Sequence, residues 1–232
     1  MNLKKLRMFN LFKKEEEKKE EESSVKPLNY CSPPNVGWLE YKLKSKEMDY
    51  LWRCIENKNE ENNHLLAGNI SKSYKLMDKD DWFFLNVIIP LLKNYAAVYD
   101  NLGNKLPFIN PHPYYMPSWW VNYQKQNEFN PSHTHSGIYS FVIWMKIPTT
   151  YENQKKLSFA ANATSKVISN FEFQYLNIVG EMSTHTYEMS PKLEGYMILF
   201  PSELRHQVYP FYECDEDRIS VSGNISINPT RK

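Results

Sequence analysis

The chain is short of several things that would place it in a large class. It has three cysteines, Cys31, Cys54 and Cys214, an odd number without C-x-x-C spacing. That excludes a disulfide framework and a thiolate zinc site, and it fits a reducing compartment. Seven glycines in 232 residues exclude collagen-like and glycine-rich repeat classes. Neither sign of charge dominates: 28 Lys+Arg against 27 Asp+Glu leave a formal charge of +1, so no general positive field favours nucleic acid. No apolar run approaches the roughly 18–20 residues that a membrane helix needs. Met1–Phe12 carries basic residues but lacks the apolar stretch and small-residue cleavage site of a secretory signal. The expectation is a soluble cytoplasmic protein. With 41% apolar and 15% aromatic residues, the body can build one core without staples.

The texture changes twice along the sequence. Residues 1–26 form a charged tail in which Leu3, Leu6, Phe9 and Phe12 recur at helical spacing before a Lys/Glu run at Lys13–Glu22. Its simplest reading is a solvated helix held by i,i+4 pairs; the sharper one is a docking helix for a protein partner or an anionic surface. Pro27–Gly37 reads as a linker or entry strand into a single helix-backed domain at 27–232. Two helices open that domain. Ser45 is placed to cap the first, with Met48, Leu51, Trp52 and Ile55 in register. Asp78 and Asp81 begin the second, which carries Trp82, Leu85, Ile88, Ile89, Leu92, Ala96 and Tyr99, and Pro90 should kink or split it. From about Pro117 the pattern turns to short strands: Trp119–Tyr123, Ser136–Ile147, Phe171–Val179, Thr184–Met189, Tyr196–Phe200 and Arg218–Ile227. Helices followed by many antiparallel-type strands predict a mainly-β fold with N-terminal helices, a helix-backed sandwich or jelly roll.

Of six histidines, the informative pair is in Pro131-Ser132-His133-Thr134-His135-Ser136-Gly137. If that stretch is extended, residues two apart share a face, and both imidazoles converge on one point as a metal requires. An H-x-H pair alone would look the same on a solvated surface. His206 follows a second strand about seventy residues on, in Leu204-Arg205-His206-Gln207-Val208, far enough for the chain to return beside the pair. The final strand alternates: Ile219, Val221, Ile225 and Ile227 share one face, with Arg218, Ser220, Ser222, Asn224 and Ser226 on the other. Arginine is itself scarce here, five against 23 lysines. A planar guanidinium at the head of that strand can grip a carboxylate through two parallel hydrogen bonds, as a lysine cannot. The ring-rich stretch Pro113–Trp120 could wall a binding site or fill a core; Trp120 reads as core, with Tyr114 and Tyr115 as rim.

This order of an aromatic strand, H-x-H, Phe-Pro-Ser, a distal histidine and Arg-x-Ser resembles the Fe(II)/2-oxoglutarate-dependent oxygenase superfamily. It is most similar to a group of 2-oxoglutarate-Fe(II) oxygenases found in bacteria and in tailed phages of marine bacteria. The segments that carry the resemblance are Trp120–Tyr123, Phe129–Gly137, Phe200–Val208 and Arg218–Asn224, nearly half the chain from Trp119 to Asn224. The resemblance implies a cupin-like double-stranded β-helix binding Fe(II), with 2-oxoglutarate and O2 as co-substrates and succinate and CO2 as products. His133 would match the first histidine of the family's H-x-D motif and His206 the distal one. Arg218 would hold the far carboxylate of 2-oxoglutarate, helped by Ser220, with Tyr123 and its neighbour Asn122 also close to the co-substrate.

The departure is His135, which stands where most of the superfamily has Asp or Glu. Imidazole there keeps the ligand count and raises the site charge by one unit. His135 could ligate the metal or merely line the pocket. Two rival functions stay open at this point: a non-catalytic jelly-roll binding or virion module, and a three-histidine dioxygenase that uses no 2-oxo acid. The primary substrate, a small molecule or a peptide, is not identified by the sequence. If the gene is phage-borne, the compartment is the host cytoplasm.

Overall fold

A computed structural model describes residues 35–58, 60–61, 68–106 and 113–228. The charged tail at 1–26, Cys31, His64 and His112 lie outside the described residues. Residues from Asn35 onward form one compact unit. Within it, short β1 (Leu39–Lys42) leads into α1 (Ser45–Glu56), β2 (Lys72–Lys75) and α2 (Ile89–Tyr99). Strands β3 (Tyr114–Gln124), β4 (Asn130–His133) and β5 (Tyr139–Lys146) follow, then the one-turn α3 (Tyr151–Gln154). Strands β6 (Phe171–Leu176), β7 (Met182–Tyr187), β8 (Tyr196–Pro201), β9 (Arg205–Val208) and β10 (Arg218–Ile227) complete the fold.

The strands form two antiparallel sheets. The larger has the order β1-β8-β5-β10-β3-β2 and the smaller β4-β9-β6-β7. This is a mainly-β jelly roll with helices on the outside of the larger sheet. Strand β5 shows why the layers must stack as they do. Tyr139, Phe141, Ile143 and Met145 join the helix-side core, whereas Val142 and Trp144 join a second core with Phe171, Phe173, Ile198 and Phe200 from the neighbouring strands. A strand covered on both faces reads as a continuous apolar run, and Tyr-Ser-Phe-Val-Ile-Trp-Met is nearly that.

The helices differ in detail from the sequence reading. Ser45 is not the cap but the first helical residue; the Lys44 N–H donates instead to the Glu47 carboxylate at 2.8 Å. Asp78 does serve the second helical run, accepting the Phe83 and Phe84 N–H groups at 2.9 Å each. Pro90 splits that run: residues Phe84–Ile88 make a single wide π turn, and α2 restarts with proline in its first turn, where no intrahelical donor is required. The wide turn rotates the buried face. Phe83, Phe84, Val87, Ile88, Leu91, Leu92 and Tyr95 enter the core, while Leu85, expected inside, is 57% exposed.

The stretch Lys79–Tyr99, 21 residues long, is the one described helical run long and apolar enough to span a membrane by length and composition, contrary to the sequence reading that no such run exists. The helix-side core accounts for its apolar face.

Candidate metal and co-substrate site

Strands β4 and β9 carry the first two histidines. They pair antiparallel with His133 directly opposite His206, so a single cross-strand register sets the two rings side by side, 4.3 Å between centroids. His135 arrives differently from expectation. Strand β4 ends at His133, and the His135 N–H bonds instead to the Ser202 carbonyl at 2.9 Å. That hydrogen bond ties His135 to the end of β8. Ser202 in turn contacts Ser140 Oγ at 3.0 Å, and Ser140 donates to Asn224 Oδ1 at 2.9 Å, so the anchor reaches across β5 to β10.

One ring nitrogen from each of His133, His135 and His206 lies within 4.8 Å of the other two. The closest pair, His135 Nε2 and His206 Nε2, are 3.2 Å apart. Two neighbouring ligands bound at about 2.1 Å to one ion would sit roughly 3 Å from each other. The opposite ring nitrogens are already committed: His133 Nδ1 lies 2.7 Å from the Pro131 carbonyl and His206 Nδ1 lies 2.9 Å from that of Leu204. A carbonyl can only accept, so each Nδ1 carries the proton and each Nε2 keeps a free lone pair, the tautomer that a metal needs. Burial lowers the pKa of all three imidazoles; the Arg205 charge adds to the effect at His133, and neighbouring imidazoles add to it at His135, taken down to about 4, and His206, to about 3. They are therefore neutral near pH 7, and a cation meets little proton competition.

A cavity of about 380 Å³ lies between the sheets, in the size range of small-ligand sites. The three histidines line it together with a ladder of polar side chains from β3 and β10. Register pairs Gln124 with Arg218, Asn122 with Ser220, Trp120 with Ser222 and Ser118 with Asn224, and all eight face the cavity. Among the described residues, no aspartate or glutamate lines it.

Arg218 is the electrostatic centre of this ladder. It is 3% exposed, and its guanidinium stacks 4.9 Å over the Phe211 ring. Its Nη2 donates to both the carbonyl and the hydroxyl of Ser169 at 2.8 Å, and its Nη1 reaches Gln124 Oε1 at 3.4 Å. The Gln124 amide is fixed by donation to the Glu128 carbonyl at 2.6 Å, which turns its oxygen toward Arg218. Among the described residues, no carboxylate is a partner of Arg218, and its Nε has no hydrogen-bond partner. Burial pushes the guanidinium pKa down to about 9, still charged at neutral pH. A buried cation without a counter-ion is costly, and one inside a ligand-sized cavity is poised for an anion.

Of the expected co-substrate residues, Arg218, Ser220 and Asn122 line the cavity, with Asn122 Oδ1 buried and without a hydrogen-bond partner among the described residues. Tyr123 does not. Side chains alternate across a strand, so with Asn122 turned inward Tyr123 points to the helix side, edge-on to Tyr74 at 6.0 Å with Lys58 over its ring. Trp120, read as core, is buried, on the cavity face near His135, 5.9 Å between ring centroids. Tyr114, read as rim, packs against the helix-side core. Sequence reasoning missed Gln124 and Ser169. The first was discoverable, two residues beyond Asn122 on the same face; the second lies in a loop and carried no signal.

A 2OG-Fe(II) oxygenase family model matches residues 118–224, the span from β3 to β10. A 2OG-Fe(II) oxygenase family oxidoreductase from Burkholderia pseudomallei shares the fold, with a TM-score of 0.52 at 12% identity, covering 85% of this chain and 94% of its own. A Pseudomonas putida prolyl-4-hydroxylase superposes with a TM-score of 0.47 at 13% identity over 84% of this chain and 94% of its own. The viral collagen prolyl hydroxylase of Paramecium Bursaria Chlorella virus-1 gives 0.47 at 11% identity, over 81% and 94%. None of the curated proteins matches the chain. The antiparallel jelly roll brings three convergent imidazoles and a buried arginine into one cavity, a donor set suited to a divalent metal beside an anion. The match over residues 118–224 supports the 2OG-Fe(II) oxygenase superfamily, and an enzyme of that kind, for this chain. Enzymes of that family use Fe(II), 2-oxoglutarate and O2, which argues against the non-catalytic module.

Proposed function

We propose that His133, His135 and His206 hold one Fe(II), and that the protein is a 2-oxoglutarate-dependent hydroxylase acting on a small molecule or a peptide side chain. Iron with bound 2-oxoglutarate supplies oxygen activation, with succinate and CO2 as the co-products. The observation that carries the reading is Arg218, a buried guanidinium with no acidic partner among the described residues, facing the cavity that the three histidines line. Its role is to receive the carboxylate of 2-oxoglutarate remote from the metal, with Ser220 and Asn122 beside it on the same ladder. Fixing that end sets the orientation of the opposite 2-oxo acid end toward the histidines. The three imidazoles contribute neutral donors with preset tautomers, and the aromatic and aliphatic walls of the second core keep water from the reacting atoms.

A second reading draws on the donor set itself. No carboxylate joins the three histidines among the described residues, as in a three-histidine dioxygenase that needs no 2-oxo acid. Arg218 would then hold a carboxylate of the substrate. Metal analysis followed by anaerobic calorimetric titration of the iron-loaded protein with 2-oxoglutarate separates the two. The hydroxylase reading expects one metal per chain and one 2-oxoglutarate; one metal with no 2-oxoglutarate bound would favour the second reading.

A further inference from the structure

Ser169 is absent from the motifs that define the superfamily match, yet the two shortest contacts of Arg218 are both to it. It is wholly buried, and its φ of 67° lies in the left-handed region that a non-glycine residue occupies at a cost. Such strain persists only where the surroundings dictate it. Here they do. The Ser169 N–H donates to the Pro210 carbonyl at 3.0 Å, and next to it Asn170 is pinned on three sides. Asn170 Nδ2 donates to the Lys166 carbonyl at 3.1 Å, its Oδ1 accepts the Met189 N–H at 3.0 Å, and its carbonyl accepts the Tyr209 N–H at 2.9 Å. The loop is thereby held in the one conformation that directs both the carbonyl and the hydroxyl of a single residue at Arg218 Nη2, each at 2.8 Å.

We propose that Ser169 is a positioning residue, which holds the unpaired Arg218 guanidinium in place for the incoming 2-oxoglutarate carboxylate. The inference rests on the co-substrate reading given above. A buried arginine with a long, flexible stem must otherwise be ordered at the moment of binding, which costs affinity. Neutral acceptors suit the task. They fix one nitrogen and satisfy part of its hydrogen bonding without cancelling its charge, so the attraction for an anionic ligand remains. An aspartate at the same place would satisfy the arginine too well and compete with the ligand.

The test is therefore a pair of substitutions with opposite consequences for stability and binding. Ser169→Gly keeps the carbonyl, removes the hydroxyl and relieves the left-handed strain, so its fold is not placed at risk. Ser169→Asp supplies a counter-ion to Arg218, and aspartate tolerates a positive φ better than most residues. Both are titrated with 2-oxoglutarate as anaerobic zinc-loaded protein, with metal content and melting temperature measured alongside. The expected result for Ser169→Gly is 2-oxoglutarate binding weaker by on the order of tenfold, the loss of about one hydrogen bond to a charged group, with metal content unchanged. For Ser169→Asp the expectation is a raised melting temperature in the ligand-free state and binding weaker by on the order of a hundredfold or more. Weaker binding by Ser169→Gly at unchanged metal content and melting temperature is what a purely structural role would not give. Wild-type affinity in both variants would overturn the positioning role while leaving the co-substrate reading intact. Failure of the wild type itself to bind 2-oxoglutarate would overturn that reading, and this inference with it.

Discussion

The two faces of strand β10 are built by the same backbone and do opposite things. One face presents Ile219, Val221 and Ile225 to a core of helices and sheet, and the other presents Arg218, Ser220, Ser222 and Asn224 to the cavity. On the helix side every side chain is exchangeable for another of similar volume, because burial of apolar surface is non-directional. On the cavity side identity matters, because each group is there for a charge or a lone pair. Stability in this fold resides on the first face and chemistry on the second. That division also explains Gly223, which interrupts the apolar face. A Cβ there would meet the Phe141 ring at 2.5 Å and the Trp119 Cβ at 2.8 Å, so two aromatic neighbours already fill the space that a side chain would use.

The sharpest way to break the comparison is to damage one face at a time. His206→Ala removes one of three donors and the cross-strand partner of His133. Metal bound per chain should fall from one to near zero at micromolar metal, measured by elemental analysis after desalting, with the metal-free protein still unfolding cooperatively in urea. Phe141→Ala should do the reverse. It empties the centre of the helix-side core and should cost about 3–5 kcal/mol of unfolding free energy in urea. Metal stoichiometry should stay at one in the fraction that folds. Gly223→Ala tests the same face more gently, since overpacking against Phe141 and Trp119 should cost about 1–3 kcal/mol by the same assay. If Phe141→Ala lost its metal while keeping its stability, the division between the two faces would be wrong.

The smallest effect expected is one of pH, on the metal-free protein. The cavity holds His135 and His206 with folded-state pKa values of about 4 and about 3, against an ordinary 6.5. Unfolding returns both to water, where they take up protons as the pH falls, so acid favours the unfolded chain. Their contribution to stability is complete above pH 6.5 and is lost progressively as the pH drops toward their folded-state values. The urea midpoint should therefore fall between about pH 7.5 and about pH 5, and fall less in His206→Ala. Equal slopes for wild type and variant would show that His206 is not held neutral by the fold.

How far the sequence foretold this depends on which force shapes each element. Strand β10 was legible to the residue because both its ends and its period-2 alternation are set by burial on one side and polarity on the other. Strand β5 was legible as a strand, and its apolar run matches burial on both faces. The four-residue strands β4 and β9, which position His133 and His206, were invisible: Asn-Pro-Ser-His and Arg-His-Gln-Val have no apolar period, and they become strands only by pairing with each other and with β6. The histidines were found by spacing, although β4 stops at His133 and the convergence of His135 depends on its hydrogen bond to Ser202. Tyr123 was misplaced because ordering residues along a motif does not say which face a strand turns inward. Ser169 could not be read at all, since its role comes from a loop whose conformation is fixed by residues brought from β7, β9 and their flanks.

The central claim is that one cavity joins a metal at the histidines to a dicarboxylate at Arg218. Its most direct test is anaerobic calorimetry with 2-oxoglutarate on three samples: iron-loaded wild type, metal-free wild type and iron-loaded Arg218→Lys. The lysine keeps the positive charge and loses the planar fork. The account expects one-to-one binding in the first sample and none measurable in the second. In the third it expects binding weaker by on the order of tenfold or more at undiminished iron content. Equal affinity in the iron-loaded wild type and Arg218→Lys, or equal affinity with and without iron, would contradict it.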